Sequence, residues 1–206
     1  MLRSLFGPSR EEIWRQVAAR VGGVVHEGGF LSGSSKLVAR HGEWELTLDT
    51  YTTSSGTGND RQAHTHTRMR APYVNADGFR FHIRRATVFS GLSAAFGFQD
   101  VEVGFEEFDR EFVIKGTEPL ALRRLFANPT VRDLLRRQPD VTLSVAEDEG
   151  WFGSSFPRGV DELRLTTADE VRDPELLRGM FDLFAAVLDQ LCRIDSAYED
   201  DPGVEL

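Results

Sequence analysis

The chain has 206 residues, of which 40% are hydrophobic and 28% are charged. This length is typical of one domain, and the composition, with 15 phenylalanines, excludes a disordered chain. The formal net charge of −9 argues against general binding of nucleic acid or of an anionic membrane. The single cysteine, Cys192, excludes an intramolecular disulfide and a multi-cysteine zinc site.

The charges are distributed unevenly along the chain. Residues 1–100 carry 12 basic and 9 acidic side chains, a net charge of +3, whereas residues 101–206 carry 12 and 24, a net charge of −12. An anion site is therefore expected in the first half. Only Lys36 and Lys115 are lysines, so arginine supplies nearly all the basic groups.

The ends and the apolar stretches show no targeting signal. Residues 1–7 are too short for the apolar region of a signal peptide, and residues 86–99 are shorter than the ~20 apolar residues of a membrane span. With one unpaired thiol and no secretion signal, we expect a cytoplasmic protein without a transmembrane segment.

The part from residue 9 to residue 85 predicts one helix followed by strands. Ser9-Arg10-Glu11-Glu12 is a capping box that begins a helix to Val21, and Gly22-Gly23 end it. Residues 36–40 predict a strand, linked through His41-Gly42 to a second strand with apolar residues at every other position. A similar alternation begins at Phe79, after the turn signal at residues 75–78, and residues 54–60 indicate a flexible loop. We therefore predict a four-stranded antiparallel meander.

The part from residue 101 to residue 195 mixes strands and helices. Three prolines mark first helical turns, two of them after the N-cap residues Asn128 and Asp173. The predicted helices are 119–127, 129–137 and 174–194, and the predicted strands are 111–115, 141–146 and 163–167.

These elements predict a single α+β domain over residues 1–206, an antiparallel meander sheet with helices packed on one face. Residues 199–206 are expected to be a frayed tail. Cys192 falls late on an amphipathic helix, where a packing role is expected. The alternating strand positions and the last helix predict one shared core: Trp44, Leu46, Leu48, Phe79, Phe81, Ile83, Phe181, Phe184 and Leu188.

The standard catalytic signatures are missing from the sequence. Gly28 and Gly33 have the separation of a phosphate loop, but Ser34-Ser35-Lys36 follow where Gly-Lys-Ser/Thr is needed. There is no G-x-S-x-G motif. The sequence therefore favours a non-catalytic protein without a cofactor.

His64-Thr65-His66 is the best candidate for a metal site, because alternate residues of a strand point to one face. A symmetric hairpin over the loop at 54–60 places His66 opposite Asp49 and His64 opposite Tyr51. Two imidazoles and a carboxylate can bind a divalent metal, and the alternative is an ordinary solvated sheet face.

Continuing the same register across the turn at 75–78 places Arg68 near Arg84 and Arg70 near His82, with Arg80 and Arg85 close by. Facing like charges require relief by neighbours or by an anionic ligand, and arginine suits phosphate or carboxylate. Glu45 and Asp49 on the adjoining strand are the alternative source of relief. The candidate anion- or partner-binding residues are Arg68, Arg70, Arg80, His82 and Arg84.

Two further segments combine aromatic residues with flexible or acidic ones. Phe89, Leu92, Phe96 and Phe98 alternate with Ser and Gly, which is typical of a core segment and also compatible with peripheral contact to a partner or membrane. Residues 147–152 form an acidic turn beside two aromatic residues, which suits a solvated turn or a cation edge.

The segment Glu107-Phe108-Asp109-Arg110-Glu111-Phe112-Val113-Ile114, followed by a capped helix, resembles uncharacterised bacterial conserved domains of unknown function. The resemblance covers residues 40–195. Some of these domains follow membrane helices, and the resemblance implies no established activity.

Taken together, the sequence predicts a non-catalytic binding or adaptor module that uses a basic sheet face to bind an anionic group or an acidic partner. Self-association through that face is the form we expect, since the acidic second half can supply the partner surface. A small metal-dependent enzyme built on Asp49, His64 and His66 is one alternative, and a purely structural subunit is another.

Overall fold

The computed structural model describes residues 7–28, 34–56, 61–86, 99–147, 156–204 and Leu206. In this part of the chain there are five helices and ten strands, and every strand pairing is antiparallel. The helices are α1 (Arg10–Val21), α2 (Glu106–Glu111), α3 (Pro119–Ala127), α4 (Pro129–Arg136) and α5 (Pro174–Arg193). The strands are β1 (Val24–His26), β2 (Lys36–His41), β3 (Trp44–Ser55), β4 (Gln62–Asn75), β5 (Phe81–Arg85), β6 (Gln99–Asp100), β7 (Phe112–Gly116), β8 (Val141–Ala146), β9 (Val160–Thr167) and β10 (Ala197–Tyr198). The predicted α+β class is confirmed.

Local signals set most of the element ends. The predicted capping box is present, since the Ser9 side chain accepts a hydrogen bond from the Glu12 amide and the Glu12 side chain accepts one from the Ser9 amide. Gly22 ends α1 in the left-handed conformation, at φ 69°. Asn128 and Asp173 cap α4 and α5 as predicted. The short elements α2, β1, β6 and β10 are not predicted by the sequence patterns.

The order of strands in the sheet differs from the predicted meander. The order is β1-β2-β3-β4-β9-β8-β5-β7-β6, and β10 pairs with the end of β4. The hairpins β2–β3 and β3–β4 form as predicted, but the predicted pairing of β4 with β5 is wrong. The hairpin β8–β9 from the second half of the chain lies between these two strands.

The crossing from β4 to β5 explains this insertion. Neighbouring strands are ~4.8 Å apart, so β5 lies roughly 14 Å from β4, a distance that residues 76–80 can span. The Asp161 carboxylate of β9 accepts hydrogen bonds from Asn75 Nδ2 at 2.6 Å and from Arg80 Nε at 3.0 Å. These contacts hold both ends of the crossing segment against the start of β9.

One face of the sheet packs against the helices and forms the core. All nine residues predicted to share a core are buried in one hydrophobic cluster with side chains of α1, α3, α4 and α5. Cys192 is half-buried and packs against the same cluster, as predicted. No helix in the described part of the chain is both long enough and apolar enough to cross a membrane.

The C-terminal segment lies beside the sheet. Lys36 Nζ donates a hydrogen bond to the Leu206 carbonyl oxygen, and Pro202 and Val204 line a cavity of about 360 Å³ together with Pro72. These contacts were not anticipated by the expectation of a frayed tail over residues 199–206.

The core arrangement predicts that Leu46→Ala and Phe81→Ala each lower the free energy of unfolding by ~2–5 kcal/mol, because each leaves a cavity at a site that is 2% or less exposed. Chemical denaturation measures this loss. Thr52→Ala, at an exposed position of β3, is the matched control and should change stability by less than ~0.5 kcal/mol. Equal stability of all three variants would contradict the assignment of the core face.

Candidate functional site

The predicted site residues of β3, β4 and β5 lie on the face of the sheet opposite the helices, which we call the polar face. Side chains along a strand alternate between the two faces. Leu48, Met69, Leu165, Leu143 and Ile83 face one another across five strands in the core. The residues on either side of them in sequence therefore point to the polar face.

On β3 and β4, an ion-pair cluster neutralises two of the predicted arginines. Asp49 is directly opposite Arg68, and its carboxylate accepts two hydrogen bonds from that guanidinium, at 2.9 and 2.8 Å. Arg70 Nη2 donates a third, at 2.6 Å. Asp49 and Arg70 are both buried. The relief within the molecule, considered above as the alternative to an anionic ligand, is therefore present for Arg68 and Arg70.

The cluster continues onto β9 through Glu162. This carboxylate is fully buried, accepts a hydrogen bond from Arg164 Nε at 2.5 Å and lies 4.0 Å from Arg70 Nη1. Burial raises the pKa of Glu162, although Arg164 and Arg70 oppose the shift. Burial likewise lowers the pKa of Arg70 against the opposing effect of Asp49. At both groups the effect of desolvation on the pKa is larger than the opposing effect of the charged partners. The charged forms of Glu162 and Arg70 therefore depend on every ion pair they make.

Removing one partner should therefore be costly. We expect Asp49→Ala to lower the free energy of unfolding by about 3–5 kcal/mol, because it leaves Arg70 buried beside Arg68 without their shared carboxylate. Glu43→Ala is the matched control, since Glu43 is exposed and lies 3.9 Å from Arg40. A loss at Asp49 no larger than at Glu43 in urea denaturation would contradict this account.

The three predicted metal ligands, Asp49, His64 and His66, are not brought together as predicted. The predicted register is wrong by two residues on β4: Tyr51 faces His66, Thr53 faces His64, and Asp49 faces Arg68. A shift of two keeps every side chain on its predicted face but separates Asp49 from the histidines. The His66 ring contacts Thr53 Oγ1 at 2.7 Å and the Thr167 carbonyl oxygen at 3.1 Å, and it stacks on Tyr51. Among the described residues, no group of three or more His, Cys, Asp or Glu side chains is arranged to hold a metal ion.

Arg80 is separated from the other predicted arginines. It donates to Asp161 through Nε and Nη2, and its Nη1 donates to Glu147 at 3.0 Å. Because β5 does not pair with β4, Arg68 does not face Arg84 and Arg70 does not face His82, contrary to the predicted register. Arg80 instead holds the crossing between β4 and β5.

His82 and Arg84 belong to a second group of cations on the polar face. His82 faces Lys115 of β7 on one side and Ser144 of β8 on the other, and Ser144 in turn faces Arg164 of β9. Arg84 faces Thr142 of β8. We call His82, Arg84, Lys115 and Arg164 the basic patch. All four are half-buried, with side-chain exposures of 35% for Lys115 and 23% for Arg164.

Burial and neighbouring positive charges act in the same direction on His82. Burial is the largest cause that lowers the pKa of His82, and the charges of Arg84 and Lys115 lower it further. At the sides of the patch, Asp100 lies 3.3 Å from Lys115, and Glu162 binds Arg164. The arrangement can therefore attract an anion and supply it with hydrogen-bond donors.

Sequence reasoning identified His82 and Arg84 but missed Lys115 and Arg164. Both lie in the acidic half of the chain, where no anion site was expected. The signal available was alternation, since Val141–Ala146 and Val160–Thr167 place Thr142, Ser144 and Arg164 at positions that point away from the core. Alternation does not predict which strands become neighbours in the sheet.

Because the pKa of His82 is lowered in the native protein, its ring binds a proton less readily there than in the unfolded chain. In the unfolded chain the pKa of a histidine is about 6.5. Its contribution to stability is thus present above pH ~6.5 and lost as the pH falls through the native pKa.

We expect Lys115→Gln to raise the His82 pKa by removing a nearby positive charge. An NMR titration of the His82 ring protons measures it, and an unchanged or lower pKa would contradict the proposed electrostatics.

Two of the segments singled out above lie wholly or mostly outside the described residues. The stretch from Phe89 to Phe98, with Leu92 and Phe96, falls wholly there, so its predicted burial or membrane contact stays a prediction. Of the acidic turn at 147–152, the structure describes only Glu147, which pairs with Arg80.

Comparison with known proteins gives one structural similarity. No protein-family model matches the chain, and a search of curated proteins finds no match. Among solved structures, the crystal structure of the mycobacterial trehalose monomycolate transport factor A, TtfA, is similar over 88% of this chain and 96% of that one, with a TM-score of 0.49 and 8% sequence identity. A similarity at this level does not indicate a function.

Proposed function

We propose that this protein is a non-catalytic binding module that recognises an anionic group through the basic patch. The observation that carries the proposal is the strand register, which brings His82 and Arg84 of β5, Lys115 of β7 and Arg164 of β9 onto one half-buried surface. Partial burial strengthens the attraction of these charges for an anion relative to a fully solvated surface.

The two halves of the polar face differ in what they offer a ligand. Asp49 already binds Arg68 and Arg70 on the β3–β4 side, so those two arginines serve the fold. On the β5–β8 side, Ser144 and Thr142 lie between the cations. Their hydroxyl groups can donate hydrogen bonds to an anion, and unlike a carboxylate they carry no negative charge that would repel it. This favours the β5–β8 side as the binding surface.

The basic patch fits a partner that carries negative charge. An acidic surface of another protein, or of a second copy, fits the patch, and the net charge of −12 in residues 101–206 makes a second copy a natural source. Self-association is therefore one expected outcome of the test.

The test compares full-length protein with the variant Arg84→Glu, Lys115→Glu. Wild type should bind labelled poly-glutamate, and binding should weaken as salt rises, because the Debye length falls from ~10 Å at 0.1 M to ~3 Å at 1 M. The double variant should lose this binding. Sedimentation at low salt, on the same samples, reports whether the protein also associates with itself through the patch.

The matched control is Arg124→Glu, Arg193→Glu, which makes the same change in net charge at exposed positions of the helical layer. It should keep the binding of wild type. Equal binding by both double variants, each shown to be folded by circular dichroism, would mean that net charge alone governs the interaction and would overturn the proposal.

A further inference from the structure

We propose that the basic patch is a binding site for a phosphate monoester group. This inference rests on the proposed function and names the anion. It is carried by the geometry of the patch and by the kinds of donor that the four strands bring together there.

The donors lie in two adjacent rows on the polar face. The first row runs Arg164, Ser144, His82, Lys115 across β9, β8, β5 and β7. The second contains Thr166, Thr142 and Arg84 on β9, β8 and β5. Facing residues on neighbouring antiparallel strands have their Cβ atoms ~4.5–5.5 Å apart, and residues two apart along a strand are roughly 7 Å apart. The centre of the patch, over Ser144 and His82, is thus within reach of the longer side chains around it.

The mixture of donors suits phosphate better than carboxylate. A phosphate monoester has three terminal oxygens and carries about −1.5 to −2 charges near pH 7. The patch offers guanidinium, ammonium, imidazole and hydroxyl donors from four neighbouring strands, whereas a carboxylate has only two oxygens in one plane. The patch holds three permanent positive charges, on Arg84, Lys115 and Arg164. Lys115 lies 3.3 Å from Asp100 and Arg164 binds Glu162, and both carboxylates lie at the sides of the patch.

His82 links occupancy of this site to protonation. The groups that face it are Lys115 on β7 and Ser144 on β8, with Arg84 on its own strand and Arg164 beyond Ser144. Without an anion, this environment disfavours the imidazolium. A bound dianion reverses the balance, because an opposite charge close to the ring favours its charged form. Binding should therefore be accompanied by uptake of a proton at His82.

The experiment titrates full-length protein with inorganic phosphate and with phenyl phosphate, and follows the His82 ring protons by NMR at constant ionic strength. Saturating phosphate should raise the His82 pKa relative to chloride. Arg84→Gln and Lys115→Gln should each weaken binding by about tenfold, the loss expected for one charge-assisted hydrogen bond. Arg124→Gln, in the helical layer, is the matched control and should bind as wild type does. Phenyl phosphate tests whether the site accepts the ester as well as the free ion.

Several results would overturn the inference. One is a His82 resonance that does not respond to millimolar phosphate, and another is a response that chloride reproduces at equal ionic strength. If poly-glutamate still binds in the patch while phosphate does not, the phosphate inference fails and the proposed function stands. If neither probe binds, both fail. Thermal midpoints of the variants show whether any loss arises from unfolding, and His82→Gln, which keeps a neutral hydrogen-bonding side chain, should bind phosphate more weakly while remaining folded.

Discussion

The pairing of β4 with β9 determines where the charged side chains of this protein lie. It separates β4 from β5, which follows β4 in the sequence, and places the hairpin β8–β9 between them. As a result, the arginines of β4 meet Asp49 and Glu162, whereas the cations of β5 meet Lys115 of β7 and the hydroxyl residues of β8. One change of neighbour thus divides the predicted basic surface into two halves. In one half two arginines share the buried Asp49, and in the other the cations lie beside hydroxyl residues, with Asp100 and Glu162 at the sides.

The half that contains Asp49 shows what burial of charge requires. Arg70 and Glu162 keep pKa shifts that disfavour their charged forms even though each has oppositely charged neighbours. Such a cluster adds little net stability over apolar side chains, but it makes any other register of β3, β4 and β9 unfavourable, because a shifted strand would bury a charge without its partner. We infer that its main effect is on the specificity of strand pairing, which in turn fixes the basic patch.

Local features of the fold were predictable from the sequence, and long-range ones were not. The capping box at Ser9, the N-caps at Asn128 and Asp173 and the apolar face of α5 depend on residues within a few positions of one another, and all are present. The faces of β3 and β5 were also correct, because alternation has a fixed period of two. The predicted register of β3 with β4 was wrong by two residues, because the length of the connecting loop does not by itself define the turn.

The same division applies to the candidate site. His82 and Arg84 were found because they alternate with apolar residues on one strand, while Lys115 and Arg164 lie some 30 and 80 residues further along the chain and become neighbours only through β7, β8 and β9. Contacts this distant in sequence form only when the intervening hairpin has been inserted into the sheet. The basic patch therefore exists only in the completed sheet, and the acidic half of the chain contributes two of its four cations. A net charge computed over a stretch of sequence misses such a site, because what an anion encounters is the local set of side chains on one face.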